Sequence, residues 1–277
     1  MTFQPDFKEF TRTFSRRSLC VTPRLVSDLE TPVSAYMKLR AAFPGPSILL
    51  ESVEGGAVRG RYSIIGLAPD VIWRCQNGVA SVARDGGAFA TEEASAFTSL
   101  RRLLDDSALD LDDLPPMACG VFGYLGYDMV RLMERLPEPK ADPIGMPDAL
   151  LIRPTLVVVF DAVKDEMLLV TPVYQRGAHS PFAAYETASD ILDKAIAAIE
   201  GPLKHETAEI EAGFAAQGAT PQSNTTPEEY KAMVARAKDY ILAGDIFQVV
   251  LSQRFSQPLD LPAFSLYRAL RRVNPSP

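Results

Sequence analysis

The fold class is decided by the stretch from Arg153 to Val173, RPTLVVVFDAVKDEMLLVTPV. It contains two apolar runs, LVVVF and EMLLVTPV, on either side of a polar bend at 161–165. β-Branched and aromatic residues favour strands, and a short polar bend between two such runs joins neighbouring strands that pair antiparallel. The stretch therefore predicts an antiparallel β-hairpin.

Shorter strands are predicted on the amino-terminal side of this hairpin. Segments 47–52 and 61–66 are apolar runs on either side of a glycine-rich bend. Asn77-Gly78 lies between two further runs, 71–74 and 79–83, and this dipeptide is the strongest short-range signal for a hairpin turn. We therefore expect a sheet built mainly from antiparallel neighbours.

Three helices are predicted between these strands. Thr31 is followed by a first-turn proline and caps a helix that ends before Pro44-Gly45. Ser180 caps a longer helix that Gly201 ends. The remaining helix is predicted to be capped by Thr91, and its apolar face is formed by Phe97, Leu100 and Leu104. Helices inserted among antiparallel strands indicate the α+β class.

The chain is predicted to divide at a change in composition. Residues 1–201 form an amino-terminal domain, and 202–225, rich in Ala, Glu, Ser and Thr, form a linker or exposed loop. Residues 226–277 begin a second domain with a capping box, Thr226 and Glu229, at the start of a helix. A strand at 246–255 and a helix at 263–272 follow.

This second unit is predicted to be incomplete in the chain. A helix, a strand and a helix cannot cover their own apolar faces. One face of the predicted strand carries Gln248, Ser252 and Arg254. A sheet face that is partly exposed to solvent and a polar cavity between two layers of the fold both explain that pattern.

Composition excludes several classes of protein. The 277 residues are 47% hydrophobic and carry a formal net charge of -7. An acidic chain is a poor partner for nucleic acid, whose phosphates attract basic surfaces. No apolar run approaches the roughly 20 residues needed to span a bilayer, and no signal peptide is recognisable. A cytoplasmic location without membrane association is expected.

Residues 48–66 have the sequence ILLESVEGGAVRGRYSIIG. The apolar run at the start of this stretch is followed directly by the carboxylate of Glu51 and the hydroxyl of Ser52. Glu51 could accept from a ligand ammonium, while Ser52 and Arg61 could donate to a ligand carboxylate. Leu50 and Ile64 could supply an apolar wall, so an amino acid is a fitting ligand. The alternative is an ordinary solvated strand end with surface charges.

At the other end of the sequence, Asn274-Pro275-Ser276-Pro277 is either a plain turn or a rigid array of carbonyl acceptors.

Several motifs occur in an order that resembles the anthranilate synthase component I family of chorismate-utilising enzymes. They are LLESVEGG, GRYSIIG, GYLGYDMVRLMERLP, GDIFQVVLSQRF and NPSP. The resemblance implies antiparallel β-sheets in a sandwich flanked by helices. It also implies conversion of chorismate and ammonia to anthranilate and pyruvate in tryptophan biosynthesis, with Mg²⁺ bound and with a glutamine amidotransferase subunit (component II) supplying the ammonia.

The resemblance further implies feedback inhibition by L-tryptophan, which acts as an effector at a site separate from the chemistry. Carried over to this sequence, the effector site comprises Leu50, Glu51, Ser52, Arg61, Asn274, Pro275, Ser276 and Pro277. The family's catalytic and metal-binding residues lie beyond the NPSP turn. We therefore assign no catalytic residue and no metal ligand within the chain, and expect the chain alone to be inactive.

Two alternatives remain at this point. The sibling enzyme, aminodeoxychorismate synthase component I, shares a version of the segment that follows Gly244-Asp245. A non-catalytic amino-acid-binding module that ends at Pro277 is the other. The product formed from chorismate would distinguish the sibling enzyme from anthranilate synthase. An open reading frame that continues past Pro277 would exclude the binding module.

Overall fold

The computed structural model describes residues 2–54, 58–138, 141–175, 180–203, 220–259 and 261–274. The chain divides into two compact units, one made of described residues up to 203 and the other of those from 220 to 274. Both units mix helices with antiparallel strand pairs, so the predicted α+β class is confirmed. Among the described residues, no helix combines the length and apolarity needed to cross a bilayer.

The described part of the first unit contains one sheet of nine strands, paired antiparallel throughout. The strands are β1 Leu19–Val21, β2 Arg24–Val26, β3 Ile48–Glu54, β4 Val58–Gln76, β5 Val79–Arg84, β6 Ala90–Thr91, β7 Phe122–Leu125, β8 Ala149–Asp161 and β9 Glu166–Val173. Their main order in the sheet is β1-β9-β8-β4-β5-β6, with β2 paired to β9, β3 to β4 and β7 to β8.

The hairpin predicted at 153–173 is confirmed as β8 and β9, at the centre of the sheet. Val157, Val158 and Val159 are consecutive and all buried. Because successive side chains in a strand point to opposite faces, both faces of β8 are covered at this point. The continuous apolar run in the sequence is explained by this two-sided burial.

The strands predicted separately at 61–66 and 71–74 are one continuous strand, β4. The chain passes through a left-handed residue at Ala68 (φ 49°), and the pairing with β8 shifts between Pro69 and Val71. The predicted turn between β4 and β5 is confirmed. Asn77 and Gly78 both have positive φ, as a two-residue type I′ hairpin requires.

Four helices in the described first unit are α1 Phe7–Phe14, α2 Pro32–Ala42, α3 Ala96–Asp105 and α4 Pro181–Glu200. Thr31 caps α2 and Ser180 caps α4, as predicted. The prediction for α3 was wrong in two respects. Its cap is Ser95, because Thr91 is already paired in β6. Leu103 rather than Leu104 is buried, so the apolar face is rotated from the predicted one.

Helix α3 packs on the sheet beside the sole tryptophan of the sequence, Trp73. Trp73 is fully buried, and its indole N–H donates to Ser99 Oγ at 2.9 Å. A second cluster gathers Val157, Val159 and Leu168 against the segment that precedes β7. The second cluster also takes in Tyr62 and Ile64, in the part of β4 that faces β3.

The second unit contains α5 Pro227–Ala243 and α6 Ala263–Val273, with a two-strand pair, β10 Gln222–Ser223 and β11 Phe255–Ser256. The capping box of Thr226 and Glu229 is confirmed. Neither helix has a buried residue. Strand β10 lies within the stretch predicted as a linker, of which 204–219 lie outside the described residues.

The strand predicted at 246–255 was wrong for most of its length. Only Phe255 enters a strand, while 246–254 pair with no strand in the described part of the chain. A strand needs a neighbour to bind its backbone N–H and C=O groups. Here Phe247 is fully exposed and Val250 is 80% exposed, so these two apolar side chains of the run are not packed against any described residue.

Candidate functional site

The carboxyl end of β3 and the facing part of β4 carry Leu50, Glu51, Ser52 and Arg61 of the predicted effector site. Leu50 pairs with Ile64 and Glu51 pairs with Ser63. The register then shifts between Glu51 and Val53, so two additional residues of β4 lie opposite Ser52. A bulge of this kind bends the strand and re-aims the side chain at the irregular position.

Ser52 is held in the bulge by contacts on the facing strand. Its hydroxyl donates to the Tyr62 carbonyl at 3.1 Å. A methyl group placed on Gly60 would overlap this hydroxyl and would lie 2.7 Å from the Ser52 Cβ. Gly60 is therefore needed where the strand backbone approaches Ser52, a requirement that no motif in the sequence indicates.

Arg61 is paired within the protein. Its Nε donates to Asp161 Oδ1 at 3.0 Å and its Nη2 to Asp161 Oδ2 at 2.7 Å. The guanidinium carbon also lies 4.8 Å from the centre of the Tyr62 ring. The hydrogen bonds from Arg61, followed by those from the backbone N–H groups of Val163 and Lys164, hold the Asp161 pKa below its ordinary value.

This pairing changes what Arg61 can offer a ligand. The bidentate contact uses Nε and Nη2, so a ligand carboxylate could reach only the remaining N–H groups. Asp161, which binds the Arg61 guanidinium, is not among the predicted site residues. It is separated from Arg61 by 100 positions, and no spacing rule connects them.

The strand end exposes a mixed surface. The Leu50 side chain is 48% exposed, Ser52 is exposed and Glu51 is partly buried. An apolar side chain, a carboxylate and a hydroxyl are thus adjacent on one short segment. These are the groups needed to hold the side chain and the ammonium of a small amino acid.

Of the other predicted site residues, the structure describes Asn274. Asn274 follows α6, and its backbone N–H donates to the Leu270 carbonyl at 2.9 Å. Pro275, Ser276 and Pro277 lie outside the described residues. Within the described ranges, no three His, Cys, Asp or Glu side chains cluster so as to hold a metal ion.

Comparison with known proteins agrees with the resemblance seen in the motifs. The chain is 45% identical to anthranilate synthase component 1 of Cereibacter sphaeroides, over 98% of this chain and 55% of that protein. It is 43% identical to the Thermus thermophilus protein of the same name, over 91% of this chain and 50% of that protein. The chain spans about half the length of the curated relatives it matches.

A solved structure shares the fold. The crystal structure of anthranilate synthase component I from Streptococcus pneumoniae TIGR4 superposes with a TM-score of 0.61 and 27% identity, covering 92% of this chain and 53% of that one. The family model described as chorismate binding enzyme matches residues 45–277. That match takes in most of the sheet, both helices of the second unit and all of the predicted effector residues. The chain therefore belongs to the chorismate binding enzyme family.

Proposed function

We propose that the chain is the amino-terminal part of an anthranilate synthase component I. The full protein converts chorismate and ammonia to anthranilate, pyruvate and water, which makes it a lyase of tryptophan biosynthesis. The observation that carries the proposal is the 45% identity that extends over 98% of the chain to a protein of this name. Identity over so much of the chain supports a shared architecture rather than one shared motif.

The proposed partner is a glutamine amidotransferase subunit, component II, that supplies ammonia from glutamine. The names of the relatives support it, because a component 1 implies a second component. The proposed location is the cytoplasm, where chorismate and glutamine are both available to a metabolic enzyme.

The proposed effector is L-tryptophan, held at the end of β3. Leu50 and Ile64 pair across β3 and β4 and offer an apolar surface to the ring. Glu51 offers a carboxylate to the ammonium. The exposed Ser52 hydroxyl would donate to the ligand carboxylate by giving up its hydrogen bond to the Tyr62 carbonyl. Inhibition is then a coupling free energy between this site and the chorismate site, with tryptophan favouring a state that binds chorismate poorly.

The proposed metal is Mg²⁺, bound by a part of the full protein outside this chain. No residue of the chain is assigned to it, because the resemblance implies that the metal-binding residues follow the NPSP turn. When bound beside the substrate carboxylate, such a metal would stabilise developing negative charge. The 277-residue chain alone is expected to turn over no chorismate.

The test is product formation by the full-length protein. It is mixed with chorismate, an ammonium salt and Mg²⁺, and anthranilate fluorescence is followed with and without L-tryptophan. We expect fluorescent product that tryptophan suppresses, and no product from the 277-residue chain. Chorismate converted to a non-fluorescent aminated product would identify the aminodeoxychorismate enzyme instead, and untouched chorismate would contradict the proposed activity.

A further inference from the structure

A cavity of about 490 Å³ lies in the first unit between α4 and the strands β8 and β9. Its volume falls within the range of small-molecule sites. Helix α4 contributes mainly small side chains, so the helix does not fill the space that it encloses. The apolar part of the lining includes Phe14, Val71, Ala184, Ala188 and Ile191. None of the predicted effector residues is among the described residues that line this cavity.

Two residues of the lining carry hydroxyl groups without a partner in the described structure. Thr171 is almost fully buried, and neither its Oγ1 nor the Tyr174 hydroxyl makes a hydrogen bond to any described residue. An unpaired buried hydroxyl is costly, and each such group in a folded protein requires an explanation. Burial raises the pKa of Tyr174, so its phenol stays protonated and remains a donor.

Arg153 adds a third donor to the lining. Its guanidinium makes four hydrogen bonds to described residues: two to the Asp70 carboxylate, one to the Asp106 carbonyl and one to Ser107 Oγ. A guanidinium has five N–H groups, so one on Nη2 remains for another acceptor. The guanidinium carbon lies 4.2 Å from the centre of the Tyr174 ring, so the guanidinium lies over the face of that ring.

The charges that line the cavity cancel. Arg153 is neutralised by Asp70, and Arg84 is accompanied by Asp85. The two hydroxyls and the remaining N–H of Arg153 can donate to a carbonyl oxygen, whereas a balanced set of charges gives no preference to an anion. From these observations we propose that the cavity is a second binding site, which takes a small uncharged molecule with an apolar body and a carbonyl or amide oxygen. The proposal does not depend on the function proposed above.

The site can be tested with three matched probes. 1-Naphthaleneacetamide has an apolar body and an amide oxygen, 1-ethylnaphthalene lacks the oxygen, and 1-naphthaleneacetate replaces the amide with an anion. Saturation-transfer NMR and calorimetry with the full 277-residue chain measure binding. We expect the amide to bind at least about threefold more tightly than either of the other two, because only the amide gives the donors an uncharged acceptor.

Variants then locate the bound probe. Thr171→Val and Tyr174→Phe each remove one hydroxyl with little change of shape, and should weaken amide binding about threefold to tenfold. Ala188→Leu fills the cavity and should abolish binding. Ser189→Ala is the matched control, because the Ser189 hydroxyl is also buried without a described partner but lies outside the cavity lining.

Two results would overturn the proposal. One is the absence of binding by all three probes at millimolar concentration, which would mean that the hydroxyls hold buried water only. The other is amide binding that Ala188→Leu leaves unchanged, which would put the probe elsewhere on the protein. Circular dichroism of each variant confirms that its fold is retained, so a loss of binding can be attributed to the cavity.

Discussion

Gly60 lies against Ser52 where the pairing of β3 with β4 becomes irregular, and a side chain at Gly60 would occupy the space of the Ser52 hydroxyl. Gly60→Ala should therefore destabilise the first unit by about 1–3 kcal/mol, as overpacking does in other tightly packed sites. The measurement is urea unfolding followed by fluorescence of Trp73, which is buried in this unit and is the only tryptophan.

The double variant Ser52→Gly with Gly60→Ala is the control for this interpretation. Removing the Ser52 side chain frees the space for the new methyl group, so the double variant should recover part of the lost stability. An equal loss in the Gly60→Ala single variant and in the double variant would show that the close approach of these two residues is not the cause.

The pair of Arg61 and Asp161 predicts a dependence of stability on pH. The folded-state pKa of Asp161 is held below its ordinary value of 3.8. The carboxylate therefore stabilises the fold at pH values above about 4, and this contribution is lost as the pH falls through the folded-state pKa. Asp161→Asn should be less stable than the unmodified chain at pH 7, and the difference should shrink as the pH is lowered below about 4.

Arg61→Gln provides the internal control for this prediction, because Arg61 is the largest cause of the lowered pKa. In an Arg61→Gln background, Asp161→Asn should change stability less at pH 7 than it does alone. A difference between Asp161→Asn and the unmodified chain that stays constant from about pH 7 to about pH 3 would contradict the role assigned to the pair.

The buried pair of Arg153 and Asp70 predicts a larger loss. The Arg153 side chain is 2% exposed, and the Asp70 carboxylate binds its guanidinium through two hydrogen bonds. Asp70→Asn would leave a buried guanidinium without this counter-charge, and should cost about 3–5 kcal/mol. Asp85→Asn is the matched control, since Asp85 is exposed and makes no ion pair in the described part of the chain. Urea unfolding monitored through Trp73 would show a loss below about 1 kcal/mol for Asp70→Asn if the pair were dispensable.

The parts of the fold that were predictable are those encoded by neighbouring residues. The hairpin from Arg153 to Val173 follows from two apolar runs around a short bend, and Thr31 and Ser180 begin helices because their side chains accept the first free N–H groups. The turn at Asn77-Gly78 was predictable because few other residues adopt two successive positive φ angles.

The predictions that failed concern features that depend on residues far apart in the sequence. The apolar run at 246–254 has the composition of a strand, yet a strand exists only where another strand binds its backbone, and the sequence does not state the partner. The ion pairs of Arg61 with Asp161 and of Arg153 with Asp70 join positions 100 and 83 residues apart. The motifs identified the end of β3 as a candidate site, but the bulge at Ser52 depends on a register that only the folded sheet sets.

The proposed effector site predicts how inhibition responds to Ser52. In the full-length protein, Ser52→Phe would remove the hydroxyl and put a ring beside Leu50, where the tryptophan side chain is proposed to lie. We expect the tryptophan concentration for half-inhibition to rise at least about tenfold, while kcat changes less than about twofold. Deletion of Asn274 should act in the same direction.

Ser15→Phe, at an exposed serine that follows α1, is the control for simply adding a ring to the surface. Unchanged inhibition in both Ser52→Phe and the Asn274 deletion would exclude the proposed site without contradicting the enzyme activity, because turnover is measured in the same assay.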